Sequence, residues 1–265
     1  MAEMDGSICE VAAALRSARQ VVILTGAGIS SESGIPTFRD ALTGLWAKYD
    51  PAELATPQAF ARDPALVSRW YDARRCQVAR CRPNRGHVAL ARLQRAMLAK
   101  GLACTLITQN VDRLHQAAGA ADVIELHGTL WIWRCLDCRA SSEELGPPFA
   151  TYPRRCRCGG LRRPDVIWFG EMLPEAAFSS SQEAVAWCDY FISVGTSSVV
   201  YPAAGLIEQA LASGAKTLEV NSRPTPFTEH VTWSIRGKSG EVLPKLVDAA
   251  FESCGAEEFG LSRDN

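Results

Sequence analysis

The chain has 265 residues and a mass of 28.8 kDa, enough for one large core or for a large domain with a smaller one beside it. Hydrophobic residues make up 47% and charged residues 22%, a composition that excludes a disordered chain. The 28 basic residues balance 29 acidic ones to a net charge of −1, which gives no electrostatic footprint for nucleic acid, and the basic run from Arg69 to Arg85 is short.

The first residues include Glu3, Asp5 and Glu10, unlike a transit peptide or a basic-then-apolar secretory signal. No run approaches the roughly 20 apolar residues that span a bilayer, so no membrane partner is expected and the cytoplasm is the expected compartment. Val21 to Leu24 is the first predicted strand, followed by the glycine-rich stretch from Gly26 to Pro36. Residues from about 38 to 99 read as helical, with turn signals at Pro57, Pro64 and Pro83. Within them Ser68 to Arg75 is a predicted helix that sets Tyr71 and Arg74 on one face. Further short apolar runs at Thr105–Thr108, Val123–Leu126, Phe191–Val194 and Thr217–Val220 suit strands buried on both faces, as in a parallel sheet. A predicted helix over Ala203–Ala212, stopped near Gly214, separates the last two and gives a βαβ signal. Residues from about 133 to 164 are rich in Cys, Pro, Gly and Arg and lack periodic runs. The tail after Cys254 is polar.

The expected fold class is therefore α/β. A Rossmann-like parallel sheet is drawn from about 7–37, 100–132 and 165–250. A helical segment of about 38–99 layers over it, and a small zinc-binding module of about 133–164 is inserted.

Gly26 and Gly28 at the end of a buried strand allow a tight turn and close approach of a ligand. A helix beginning near Ser30 would turn free N–H groups toward a pyrophosphate. The third glycine, Gly34, falls later than in the usual dinucleotide fingerprint, and a strand-to-helix turn without a ligand fits the pattern equally well. Asn110 and Asp112 sit just past another buried strand, where α/β folds place their ligands. His127 closes a predicted strand and is followed by Gly128, which leaves room beside the imidazole; a structural role is the alternative. His87, His115 and His230 read as structural or solvated.

Cys135-x-x-Cys138 and Cys156-x-Cys158 are separated by 17 residues. Two close pairs of thiolates can surround one tetrahedral Zn²⁺, and with four protein ligands that metal has no open position for chemistry. Cys9, Cys76, Cys81, Cys104, Cys188 and Cys254 are scattered and read as reduced thiols. Arg74 could bind a carboxylate bidentately with help from the Tyr71 hydroxyl, although helical arginines are usually solvated.

The longer string from Gly26 to Arg39, ending Gly34-Ile35-Pro36-Thr37-Phe38-Arg39, resembles the first signature of the sirtuin family. Thr108-Gln109-Asn110-Val111-Asp112, Leu126-His127-Gly128, Val194-Gly195-Thr196-Ser197 and Val220-Asn221 match that family in the same order. The resemblance spans about residues 20 to 250. It implies a soluble NAD-dependent protein lysine deacylase, with NAD consumed as co-substrate and one structural Zn²⁺. His127 is implied as the general base that takes a proton from a ribose hydroxyl after nicotinamide has left. Asn110 would position ribose and water, Asp112 the nicotinamide carboxamide, and Phe38 would shield the reacting sugar. Gly26, Ala27, Gly28, Ser30, Glu32, Pro36, Thr37, Arg39 and Trp46 are the other implied NAD contacts from the first third of the chain. Gln109 and Val111 join them from the second signature. Gly195, Thr196 and Ser197 are expected at phosphate or ribose. Asn221, Ser222, Arg223 and Ser239 are expected toward the adenosine.

Tyr71-x-x-Arg74 is similar to the pattern of class III sirtuins, which remove acidic acyl groups such as succinyl and malonyl, and whose bacterial members often remove acetyl as well. Ala55 matches a small residue at the pocket mouth, and Val166, Trp168, Phe169 and Gly170 a segment along which an acylated peptide pairs in extended form. The implied partners are acylated lysine-containing proteins, and a monomer is expected. Competing readings are an NAD glycohydrolase or ADP-ribosyltransferase in the same pocket, a non-catalytic ADP-ribose binder, a zinc-ribbon nucleic-acid protein and a conventional dehydrogenase.

Overall fold

The computed structural model describes residues 2–36, 50 and 54–251, with side chains from Ile8 onward. Thr37, Phe38, Arg39 and Trp46 therefore lie outside the described residues, as does Cys254. Among the described residues no helix is long and apolar enough to cross a membrane.

The chain opens with α1 (Ala2–Ser17) and β1 (Gln20–Thr25), then a short 3₁₀ helix over Ala27–Ser33. Three helices follow: α2 (Pro57–Arg62), α3 (Pro64–Val78) and α4 (Arg85–Ala99). Then come β2 (Ala103–Thr108), α5 (Leu114–Ala117), β3 (Ile124–Glu125), β4 (Gly128–Cys135), β5 (Ser141–Glu143) and β6 (Arg162–Val166). The remainder is α6 (Glu175–Ala186), β7 (Tyr190–Val194), α7 (Gly205–Ala212), β8 (Lys216–Asn221), β9 (Trp233–Arg236) and α8 (Ser239–Phe251).

Six strands form one sheet in the order β3-β2-β1-β7-β8-β9, and every pairing is parallel. The near-continuous apolar runs of its strands follow from burial on both faces. In β1, Val21 and Ile23 enter the core under α1, α4 and α8, while Val22 and Leu24 enter the one under α6 and α7. The predicted strands at 21–24, 105–108, 191–194 and 217–220 all lie inside observed ones. The strand expected over 123–126 shrinks to two residues, and β9 joins the sheet without having been expected.

β4 is flanked by β5 and β6 in a separate antiparallel sheet. A register shift between Thr129 and Trp133 breaks its alternation, so the segment carries no clean period-2 signal. The helical segment divides between the two sheets. α4 covers the large sheet as expected, but α2 and α3 pack on the small one, where Phe60, Val67, Trp70 and Tyr71 meet Leu130, Trp133, Val166 and Trp168. Caps fix where these helices start: Thr56 Oγ1 accepts from Ala59 N at 3.0 Å and Asp63 Oδ1 from Leu66 N at 2.9 Å, each just before a proline.

Candidate active site

The loops that leave the C-terminal ends of β1 and β7 run in opposite directions from the middle of the sheet, the switch point where open α/β folds bind ligands. Here Gly28 N donates to Gly195 O at 2.8 Å and Gly26 N to Val194 O at 3.0 Å. The helix expected to begin near Ser30 begins at Ala27, and it is 3₁₀. Two of its leading N–H groups are not free, because Gly28 N is held by Gly195 O and Ile29 N by Gly26 O. The turn thus gives a ligand a close backbone surface, and fewer dipole-aligned donors than an α-helix N-terminus would.

A groove of about 310 Å³ opens beside this turn, lined by Gly28, Ser31, Glu32, Gly195, Val220, Asn221, Ser222, Gly237, Lys238 and Ser239. It brings together six residues expected at a dinucleotide (Gly28, Glu32, Gly195, Asn221, Ser222 and Ser239) and adds Ser31, Val220, Gly237 and Lys238. Glu32 has a structural partner as well: its Oε1 accepts from Gly240 N at 2.9 Å and from Ser239 Oγ at 3.2 Å, at the start of α8. Asn221 Nδ2 donates to Thr196 O at 2.7 Å and Gln109 Nε2 to Thr196 Oγ1 at 3.0 Å. Gly195, Thr196 and Asn221 are thereby fixed to one another and to β2's exit. Arg223 is exposed, and its carbonyl is held by Arg236.

A buried polar network lies on the other side of the turn. Asn110 and Asp112 are 7% and 6% exposed. Asn110 Nδ2 donates to Gly26 O and to Ser30 Oγ, both at 3.1 Å. Ser30 Oγ donates to Asp112 Oδ2 at 2.8 Å, and Leu114 N donates to Asp112 Oδ1 at 2.8 Å. Burial raises the Asp112 pKa and outweighs the opposing bonds from Leu114 and Ser30. Trp131 pins the segment from the small sheet, its Nε1 donating to Asp112 O at 2.9 Å. Arg113 next in sequence has φ 60, a left-handed conformation for a non-glycine residue, held by pairs to Glu125 at 3.2 Å and Glu143 at 2.8 Å. Val111 joins the aromatic cluster under the small sheet.

His87 belongs to this network, which its isolation in the sequence did not reveal. Asn84 N donates to its Nδ1 at 3.3 Å, so Nε2 carries the proton and donates to Ser30 Oγ at 3.3 Å. His115 lies beside it with the rings tilted and their centroids 4.9 Å apart, and bonds Thr25 Oγ1 at 2.9 Å. Burial lowers the His87 pKa to about 4. Burial, then repulsion from His87, lowers that of His115 to about 3. Both rings are neutral at pH 7. His230 is exposed.

His127 lies between β3 and β4. Its Nδ1 is 3.0 Å from the Gln109 carbonyl oxygen, which can only accept, so in the neutral ring Nδ1 bears the hydrogen and Nε2 keeps its lone pair. Burial lowers its pKa below the ordinary histidine value, against the Gln109 bond. Gly128 permits the placement: it has φ 72, and a Cβ there would stand 2.0 Å from Asp165 O. Ile167 N donates to His127 O at 3.0 Å, tying the imidazole to the segment after β6.

That segment is less open to a peptide than its expected role suggested. The N–H groups of Ile167, Trp168 and Phe169 are spent on His127 O, Glu171 Oε2 and Ala55 O, and Val166 pairs with Gly128. Gly170 is exposed and follows them. Ala55, Tyr71 and Trp168 are buried together in the core of the small sheet, with the Tyr71 and Trp168 rings 6.1 Å apart. Arg74 lies one helical turn from Tyr71 with its Cζ 5.1 Å from the centre of the Trp70 ring.

The Sγ atoms of Cys135, Cys138, Cys156 and Cys158 all lie within 4.8 Å of one another, with the 135–158 and 138–156 pairs at 3.6 Å. Four sulfurs about 2.3 Å from a tetrahedral Zn²⁺ stand about 3.8 Å apart, so the donor set and its spacing fit a closed structural zinc site. The four thiols share protons: Cys135 and Cys156 are drawn down by backbone N–H groups, while Cys138, against a backbone bond from Ala140, is pushed up by its hydrogen bonds to the other thiols. It is therefore the spacing of the sulfurs that supports the zinc site. Cys9, Cys76, Cys81, Cys104 and Cys188 are free thiols.

Residues 26–202 match the family model described as the Sir2 family. The chain belongs to the Sir2 family. It is 50% identical over 239 residues to NAD-dependent protein deacylase 2 of Pyrobaculum aerophilum, covering 90% of this chain and 94% of that protein. It is 49% identical over 245 residues to NAD-dependent protein deacylase 1 of Pseudomonas aeruginosa, covering 89% and 96%. Among solved structures, a Sir2 homologue in complex with NAD superposes with a TM-score of 0.87 at 44% identity, covering 92% of this chain and 94% of that one. A Sir2 protein bound to an acetylated peptide superposes with a TM-score of 0.77 at 32% identity, covering 90% and 96%. Membership of the Sir2 family accounts for the order of the sequence motifs. The contacts among Gly28, Gly195, Ser30 and Asp112 are the physical form those motifs take.

Proposed function

We propose that this Sir2-family enzyme uses NAD to remove acyl groups from protein lysine side chains, prefers acidic acyl groups such as succinyl and malonyl, and also accepts acetyl. Acyl-lysine, NAD and water give free lysine, nicotinamide and acyl-ADP-ribose. The groove beside Gly28 and Gly195 would hold the adenosine end, and the Ser30–Asn110–Asp112 network the nicotinamide end. Neutral His127, with Nε2 unprotonated and Nδ1 anchored on Gln109 O, is in the state required of a base at neutral pH. Phe38 is assigned from the motif alone. The Zn²⁺ supplies structure when bound, holding the two cysteine pairs together and taking no part in the chemistry.

One observation carries the acyl preference. Among the described residues Arg74 has no carboxylate partner, although burial is the largest influence on its pKa, which it lowers, and Tyr71 is the one group that opposes it. Tyr71 is itself 3% exposed, beside Trp168. A half-buried guanidinium without a counter-ion is under-satisfied, and a bound carboxylate offsets that cost with paired hydrogen bonds. An acetyl group would leave Arg74 without that partner.

The test is incubation with NAD and matched acetyl-, malonyl- and succinyl-lysine peptides, followed by mass spectrometry. Acyl-ADP-ribose and deacylated peptide are expected, with the lower KM for succinyl. Nicotinamide release without peptide turnover would make the enzyme a glycohydrolase, and an acetyl KM at or below the succinyl value would remove the acidic preference.

A further inference from the structure

The turn of α3 that carries Tyr71 and Arg74 also carries a fully buried ion pair. Arg75 Nη2 lies 2.7 Å from Asp72 Oδ1, and neither side chain is more than 1% exposed. Neither partner turns toward the acyl pocket contacts described above; both reach the zinc module. Arg75 Nη1 donates to Glu144 O and Gly146 O, each at 2.8 Å, and Nη2 donates to Pro147 O at 2.9 Å. Asp72 Oδ2 accepts from Phe149 N at 2.9 Å and from the Tyr152 hydroxyl. The guanidinium and the carboxylate together hold five groups of the segment 144–152.

The first residue of that segment is also held from the small sheet, Glu144 N donating to Trp131 O at 2.7 Å and the Glu144 carboxylate pairing with Arg162 at 3.2 Å. The segment forms no helix or strand, and residues 145–148 are exposed. It joins β5 to the Cys156-x-Cys158 pair, and Tyr152 stands four residues before Cys156. At its other anchor Phe149 packs edge-on against Trp133, with centroids 4.9 Å apart, two residues before Cys135. Arg75 and Arg154 lie over the Phe149 ring at 4.9 and 4.4 Å.

Both partners sit on α3, so the pair itself would survive separation from the segment. Its five hydrogen bonds to 144–152 would be lost and two buried charges left under-satisfied, which couples the movement of the helix to that of the segment. Rotating α3 enough to free Asp72 and Arg75 would carry Tyr71 and Arg74 with it. We propose that Asp72 and Arg75 are positioning residues that lock the acyl pocket to the zinc module, so that Tyr71 and Arg74 hold their place only while the segment 144–152 holds its own. The consequence for acyl choice rests on the acidic-acyl reading above; the mechanical coupling does not. Coupling of this kind is reciprocal: whatever orders α3 also orders the approach to Cys156.

The test uses the zinc-loaded full chain and two variants. Tyr152→Phe keeps the ion pair and removes one of its anchors; Asp72→Asn keeps the shape and removes the charge. Amide hydrogen exchange is measured by mass spectrometry, zinc loss is followed with a chromogenic chelator, and succinyl- and acetyl-lysine peptide binding by calorimetry. Tyr152→Phe is expected to speed exchange in both 144–152 and 68–78, to leave α4 and α8 unchanged, and to hasten zinc loss. Its affinity for the succinyl peptide should fall about fivefold, the scale of one lost hydrogen bond, with the acetyl peptide within about twofold. Asp72→Asn should do the same more strongly. Faster exchange in 144–152 with α3 unchanged overturns the coupling, as does wild-type exchange in both segments of either variant. If the wild-type protein binds the two peptides equally, the acidic-acyl reading falls, and the exchange data still decide the lock. Should Asp72→Asn fail to fold, Tyr152→Phe decides it alone.

Discussion

Gly28 and Gly195 are in backbone contact: a Cβ added at Gly28 would stand 2.7 Å from Gly195 O, and one added at Gly195 would stand 2.4 Å from Ile29 N. Both partners are main chain, so neither can swing aside, and the loops after β1 and β7 can close on each other only without side chains here. Gly28→Ala is therefore expected to push the two loops apart and to cost about 1–3 kcal/mol of stability, as overpacking does. NAD affinity, read by calorimetry, should fall at least about tenfold if that strain is relieved at the groove. Wild-type affinity with an unchanged melting temperature would show that the turn yields without consequence.

His127 works, in this scheme, only as the neutral ring. Its pKa lies below the ordinary value of about 6.5, so kcat/KM should be flat from pH 8 to near neutrality and should fall as pH drops through that lowered pKa. The decline belongs below about pH 6.5, on the acid side of a free imidazole. His127→Gln should remove deacylation while leaving the fold intact, because the amide can still donate to Gln109 O. Retained turnover in that variant would take the imidazole out of the chemistry.

His87 and His115 carry a separate pH dependence, of stability. Both are neutral in the folded protein down to about pH 4 and about pH 3 respectively, whereas in the unfolded chain they protonate near the ordinary value of about 6.5. Below that value the unfolded state binds more protons, so their contribution is whole above it and is lost as pH falls toward the folded values. Each should account for a loss on the order of 3 kcal/mol by pH 4. Urea unfolding at pH 7.0 and 4.5 should show a steep drop in the wild-type protein and a shallower one in His115→Gln. An equal drop in both would mean that other groups govern acid unfolding.

Arg74→Met keeps an unbranched apolar stem and removes the guanidinium, and with it the charge over Trp70. Succinyl-lysine KM should rise by about tenfold or more, the order expected for a lost bidentate carboxylate contact, with acetyl-lysine KM within about twofold. Equal losses on both peptides, measured with saturating NAD, would refute the carboxylate clamp.

What could be read without coordinates was whatever is written locally. The strands of the large sheet were legible because burial on both faces demands unbroken apolar runs, as in Val21–Leu24 and Phe191–Val194. The zinc ligands were legible because a tetrahedral metal needs its donors in close pairs, and α7 because Gly214 stops it. The small sheet was not, since the shift between Thr129 and Trp133 destroys the alternation that marks a strand. Nor was the 3₁₀ start at Ala27, which follows from how closely Gly195 approaches.

Only the tertiary structure could give His87 its place, because Ser30, its partner, is 57 residues away and no spacing rule links them. Only the tertiary structure could also separate neighbours that look alike. Arg74 and Arg75 are adjacent identical residues, yet one has no carboxylate among the described residues and the other is fully buried on Asp72 and three carbonyls of a distant segment. Composition and periodicity report which faces are apolar. They do not report which charge finds its partner across the fold, because that depends on long-range packing that no local pattern encodes.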